Sequence, residues 1–170
     1  MVAERKMDAT RLLTEDHRKV EELFEQFEKA SGDGRKEKLA RQICTELKVH
    51  SMIEEEIFYP ALRGKIDDDD LDEAYVEHDG AKVLINEIEA GSGGDEFYEA
   101  KVKVLQEQIE HHVKEEEKQS DNLFQQARAS DVDLEALGEQ MAARKAELMQ
   151  LAETQGLPPA QPATMNSTEA

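Results

Sequence analysis

The sequence predicts an all-α protein: an up-down-up-down four-helix bundle with an additional C-terminal helix. Three observations carry that expectation. Short polar and breaker clusters fall at Ser31-Gly32-Asp33-Gly34, at Pro60 with Arg63-Gly64-Lys65, at Gly91-Ser92-Gly93-Gly94 and at Ser130-Asp131, cutting the chain into helix-length pieces. The pieces are rich in Glu, Lys, Ala, Leu and Gln, and strand-type alternation is almost absent. Within each piece the inward residues recur at +3 and +4, the seam that packed helices share. Short connections then make successive helices antiparallel.

Taken in order, the first helix is expected over about 9 to 30, with Asp8 as N-cap and Leu13, His17, Val20, Phe24 and Phe27 inward. The second, over about 35 to 58, turns Leu39, Ile43, Leu47, His50, Glu54 and Ile57 inward. Leu71, Ala74, His78, Ala81, Ile85 and Ile88 mark the third, over about 71 to 90. The fourth, over about 95 to 127, carries Tyr98, Val102, Leu105, Ile109, His112 and Glu116. Together these make a bundle domain of residues 9–128, preceded by an N-terminal tail, 1–8. A fifth helix, 131–153, has a seam of Leu134, Leu137, Met141, Leu148 and Leu151 interrupted by Arg144, and is expected to pack across the bundle or against another chain. The Pro-rich stretch 154–170 reads as a disordered tail.

Charge removes several partner classes. Of 170 residues, 40 are Asp or Glu and 21 are Lys or Arg, a net charge of −19. A binder of nucleic acid or of an anionic membrane needs a basic face, so neither partner is expected. No run approaches the ~18 apolar residues of a membrane span, and Met1-Val2-Ala3-Glu4-Arg5-Lys6 lacks the apolar run of a signal peptide. A single cysteine, Cys44, agrees with a reducing compartment, so a cytoplasmic location is expected. Cys44 itself flanks Ile43 and Leu47 and reads as a small core residue. The run Asp67 to Asp70 lacks the glycine and distal glutamate of a calcium loop and reads as an acidic first helical turn.

The chemistry lies in polar residues that occupy seam positions: His17, His50 with Glu54, His78, and His112 with Glu116. Buried carboxylates cost several kcal/mol unless cations or donors face them. Two metal ions would supply both. Residues i and i+4 share a helix face, about 5–6 Å apart at Cβ, so each His-Glu pair can grip one ion or offer a bridging carboxylate. Register separates neighbours: His112 follows Ile109, Leu105 and Val102, whereas His111 follows the mostly polar row Gln108, Val104 and Lys101. The same test favours Glu116 over Glu115 and Glu54 over Glu55 and Glu56. His111 and Glu115 stand as candidates for orienting a ligand from behind. The mixed ligand set admits iron, manganese or zinc.

These residues make the chain resemble the hemerythrin-like HHE cation-binding family, through Asp16-His17, His50-Ser51-Met52-Ile53-Glu54 with the following Glu55-Glu56-Ile57-Phe58-Tyr59-Pro60, Glu77-His78, and His112-Val113-Lys114-Glu115-Glu116. The resemblance covers about residues 8 to 128. It implies a four-helix bundle around two non-haem irons bridged by both glutamates and an oxo or hydroxo group, with His17, His50, Glu54, His78, His112 and Glu116 as ligands. Oxygen-carrying hemerythrins add a fifth histidine four residues after the third; here that position is Lys82. Tyr59 and Tyr75 are the candidates for the position left open, and a tyrosinate would favour ferric iron and peroxide chemistry.

Three functional readings follow. The first is a di-iron protein that binds oxygen, nitric oxide, peroxide or iron itself for sensing, storage or stress response. The second is a di-iron enzyme that decomposes hydrogen peroxide in a catalase-like reaction or reduces nitric oxide. The third is an acidic helical protein that binds a partner, or a second copy of itself, through its C-terminal helix.

Overall fold

The computed structural model describes residues 7 to 165, so the expectation for an N-terminal tail falls largely outside the described residues. Seven α-helices follow in order: α1 Ala9–Lys29, α2 Asp33–Ile53, α3 Tyr59–Leu62, α4 Asp68–Ala90, α5 Tyr98–Val113, α6 Leu123–Ala129 and α7 Leu134–Thr154. Two π-helical turns extend α2 and α5, Glu54–Phe58 and Lys114–Lys118. No strand occurs among the described residues. The long helices α1, α2, α4 and α5 form the predicted bundle. Asp8 caps α1 by accepting from the Arg11 amide at 3.1 Å, and Asp67 caps α4 by accepting from Asp69 at 3.0 Å, ahead of an acidic first turn.

The interior has two apolar ends. One gathers Leu13, Ile53, Phe58, Leu62, Leu71 and Phe124. The other gathers Val20, Phe24, Phe27, Leu39, Ile43, Leu47, Ile85 and Leu105. Each fully buried side chain of this kind stabilises the fold by roughly 1.5–3 kcal/mol before entropy is counted. The seam histidines lie in sequence between the two clusters, so a polar layer is sealed at both ends. Cys44 belongs to the second cluster; it is fully buried, its thiol points to the Ile85 carbonyl at 3.9 Å, and burial pushes its pKa up to about 12.

α7 packs along α1 and α2 of its own bundle, burying Leu137, Met141 and Leu148. Gly138 permits the close crossing, since a Cβ there would meet the backbone of Met7 and Asp8 at 2.8 Å. Arg144, the charge that interrupts the α7 seam, pairs with Glu56 at 2.8 Å.

Two expectations are corrected. The fourth helix does not run unbroken from 95 to 127. Ser92 and Asp95 form a turn before Tyr98, and the helix stops at Lys118, where Gln119 becomes extended. Asp121 then takes φ 55°, and Asn122 starts α6 with a reciprocal capping box to Gln125. Asp and Asn side chains compete for backbone donors, which is why Ser120-Asp121-Asn122 breaks a helix that composition would continue. The second correction concerns the tail read as disordered. Residues 156–165 lie over α2 and α4: Leu157 offers its carbonyl to Lys48, Asn86 and Ala160 exchange hydrogen bonds of 2.8 and 2.9 Å, and Asp79 accepts from Ala163, Thr164 and Met165. Polar side chains holding a backbone leave no trace in apolar composition.

Asp79 is fully buried, and although burial disfavours its charge, these donors hold its pKa down at about 2, against 3.8 ordinarily. Its contribution, about 2 kcal/mol, is present above pH 3.8 and is lost as pH falls through 2. Acid unfolding followed by circular dichroism is therefore expected to lose this part of its slope in Asp79→Asn, with the parent and variant converging at the acid end. Identical acid limbs would show that the tail contributes nothing through Asp79.

Candidate metal centre

The seam periodicity delivers His17 from α1, His50 from α2, His78 from α4 and His112 from α5 to one level of the bundle, each at most 6% exposed. Glu54 opens the first π turn and Glu116 sits within the second, at 0 and 1% exposure. Glu54 Oε1 lies 2.7 Å from His50 Nε2 and 3.4 Å from His78 Nε2. His78 Nε2 and His112 Nε2 are 3.2 Å apart, and His112 Nε2 meets Glu116 Oε1. Donor atoms fall into two groups, Glu54-His78-His112-Glu116 and His17-His50-Glu116, each with all atoms within 4.8 Å of one another. Glu116 belongs to both, and Glu54 touches a histidine of each.

The polar atoms of this layer are left unsatisfied by the protein. Nε2 of His17, Oε2 of Glu54 and Oε2 of Glu116 are buried without a hydrogen-bond partner, while His50 Nε2 and Glu54 Oε1 face only one another and His78. Native interiors avoid such atoms, each costing about 1–3 kcal/mol. Cations among them remove that cost, and an imidazole-carboxylate set suits iron, manganese or zinc. Burial pushes His17 down to about 4, leaving it neutral as a ligand must be. Burial also opposes charge on His50, but Glu54 and Asp16 outweigh it and lift His50 to about 10, so a metal ion binding there has to displace its proton. In turn His50 overcomes burial at Glu54 and holds that carboxyl well below its ordinary range.

A ring of outer carboxylates surrounds the layer. Nδ1 of His50 lies 3.0 Å from Asp16, that of His78 2.9 Å from Glu55, that of His112 3.1 Å from Glu77, and that of His17 3.4 Å from Glu117. Each carboxylate comes from a neighbouring segment, so the ring links α1 to α2, the first π turn to α4, α4 to α5, and the second π turn back to α1. Such partners fix the tautomer and leave Nε2 free to ligate. Sequence reasoning missed these four. The available signal was adjacency: Asp16 and Glu77 precede His17 and His78, while Glu55 and Glu117 follow Glu54 and Glu116.

Tyr59 reaches the centre and Tyr75 does not. The Tyr59 hydroxyl lies 3.3 Å from His78 Nε2, 3.4 Å from His112 Nε2 and 3.4 Å from Glu116 Oε1. The π turn explains its reach, because the Tyr59 amide bonds the Glu54 carbonyl and places the two residues one wide turn apart. Tyr75 packs edge-on against Tyr59 with ring centres 5.2 Å apart, toward Arg63. Lys82, at the position of the fifth histidine, pairs with Glu55 at 2.9 Å and Asp79 at 3.4 Å. His111 is exposed, with Nε2 3.3 Å from Glu77 and 3.0 Å from Glu115, and Glu77 in turn contacts His112. Burial and the neighbouring Glu77 lift Glu115 to about 7.

Comparison with known proteins bears on the fold and the family. The fold is similar to that of a crystal structure of a hemerythrin HHE cation-binding domain-containing protein from Mycobacterium kansasii, with a TM-score of 0.73 and 24% identity over 88% of this chain and 94% of that one. A protein of Nostoc sp. named DNA nickase is 30% identical over 102 residues, which cover 60% of this chain and 29% of that protein. The family model described as hemerythrin HHE cation binding domain matches residues 8–120, and the chain belongs to that family.

Proposed function

We propose that the protein holds two iron ions with His17, His50, Glu54, His78, His112 and Glu116 and uses them to bind a small oxygen-derived ligand or nitric oxide. The observation that carries this reading is the set of buried, partnerless nitrogen and oxygen atoms facing one another in two groups that share Glu116. Iron bound there supplies an open coordination position and electrons for a small oxidant. The chain's own residues restrict what can arrive. A cavity of about 20 Å³ is lined by His17, His50, His78 and His112 together with apolar Val20, Leu47, Ala81, Ile85 and Ile109. That volume accommodates a water-sized molecule.

A second reading, peroxide decomposition, is favoured by one further observation. Lys82 turns to Glu55 and Asp79 and adds no donor, whereas the Tyr59 hydroxyl stands within 3.4 Å of His112 and Glu116. A phenol there can serve as ligand or as proton donor, and either use suits turnover better than reversible carriage. The acidic surface opposes a phosphate backbone, so the activity in the Nostoc relative's name is outside this proposal. A cytoplasmic location with a reducing supply fits the lone cysteine.

The test is the metal content and optical spectrum of the purified protein, as isolated and after reduction and exposure to air. Iron at two per chain with near-ultraviolet ferric bands supports the centre, and a visible band absent from Tyr59→Phe assigns the phenolate. Rapid oxygen evolution from peroxide selects the second reading; reversible oxygen uptake without turnover selects the first. Failure to take up iron after anaerobic reconstitution rejects both.

A further inference from the structure

Three of the four carboxylates in the outer ring have a cationic side chain beside them. Lys145 pairs with Asp16, Lys82 with Glu55 and Arg18 with Glu117. Glu77 breaks the pattern. Its Oε1 holds His112 Nδ1 at 3.1 Å, while Oε2 faces the exposed His111 Nε2 at 3.3 Å. Glu115, beside it, lies 3.0 Å from that same nitrogen through Oε1. Among the described residues no Lys or Arg forms an ion pair with Glu77 or Glu115. Two carboxylates thus converge on one imidazole where the other three corners of the ring hold a positive charge.

We propose that Glu77, His111 and Glu115 form a peripheral site for a divalent transition-metal cation, through which ions pass to the paired centre. One donor atom from each residue lies within 4.8 Å of the others. One imidazole nitrogen with two carboxylate oxygens suits Fe²⁺, Mn²⁺ or Zn²⁺ better than the all-oxygen preferences of Mg²⁺ or Ca²⁺. His111 and Glu115 are i and i+4, and Glu77 projects from the facing α4, so the three are held by packed helices rather than by a loop.

Position gives the site its role. A small pocket beside it, of about 20 Å³, is lined by Asp70, Glu73, Glu77 and Glu115 together with the buried His112 and Glu116 of the centre. Its carboxylates make a negative patch that concentrates cations. Glu116, which lines the same pocket, has its Oε2 buried and without a hydrogen-bond partner. Glu77 belongs to both sites, one oxygen toward His111 and the other toward His112.

The inference rests on the proposed di-iron reading only for the ion's destination, and the experiment separates the two. Full-length protein stripped with chelator is titrated with Co²⁺, and bound equivalents and loading rate are compared between the parent and His111→Ala, with Glu115→Gln as a second variant and circular dichroism to verify the fold. The parent is expected to bind one equivalent more than either variant, and the variants to fill the inner centre severalfold more slowly but to the same final occupancy. If the inner centre failed to load at all, the parent would still take up one ion that His111→Ala loses, which upholds the outer site while rejecting the di-iron reading. Equal stoichiometry in parent and variants, or equal loading rates, overturns the proposal.

Discussion

Metal analysis of Glu54→Ala and of His112→Ala is expected to show the paired centre lost, with at most a single weakly held ion where the parent binds a pair. Glu54 touches a histidine from each donor group, and His112 joins Glu54, His78 and Glu116 in one of them, so neither can leave without opening the shared layer. The loss falls on stability as well. Removing His112 deprives buried Glu116 of its histidine, and breaking such a buried ionic contact typically costs about 3–5 kcal/mol. His111→Ala supplies the contrast, because its exposed ring touches Glu77 and Glu115 but none of the six central residues; it is expected to keep the pair. Equal losses from His111→Ala and His112→Ala would refute the assignment of inward residues.

Thermal unfolding should depend strongly on metal. An ion that binds only the folded chain stabilises it by about 4 kcal/mol at a free concentration a thousand times Kd. For a domain of this size that corresponds to roughly 10 °C in midpoint. The sign follows from the buried layer: stripped of ions, the protein must keep Oε2 of Glu54 and of Glu116 without partners, and binding removes that penalty from the native state alone. Scanning calorimetry of chelated and reloaded protein measures it. Equal midpoints would mean that the ions are incidental, and the acidic-partner reading would then lead.

The bundle was legible because the apolar period persists through the polar positions: Leu13, Val20 and Phe24 bracket His17, and Ile43 and Leu47 lead up to His50. The same register chose Glu54 from the run Glu54-Glu55-Glu56, and the structure buries Glu54 fully. Tyr59 was legible only as an alternative, since α-helical spacing turns a residue five beyond Glu54 away from it and the π turn brings it back. The outer carboxylates were hidden by abundance. With 40 acids in the chain, an acid next to a histidine carries little weight until the neighbouring helix is seen. The tail was misread for a different reason, because Asp79 and Asn86 hold it through main-chain groups that every sequence offers. The break after Lys118 turned on side-chain competition at Asn122, which composition alone does not rank.

Cys44 bears on how long such a protein would last in use. Peroxide oxidises the thiolate of cysteine, and with a pKa pushed to about 12 almost none of that form exists at neutral pH. The thiol is fully buried in the apolar end of the bundle with Ile43, Leu47 and Ile85, away from solvent. Under the proposed function, oxidants that reach the histidine layer therefore find Cys44 out of reach. Wear by sulfenic acid formation and cross-linking of copies through a disulfide are both closed off, and repeated exposure leaves this residue chemically intact.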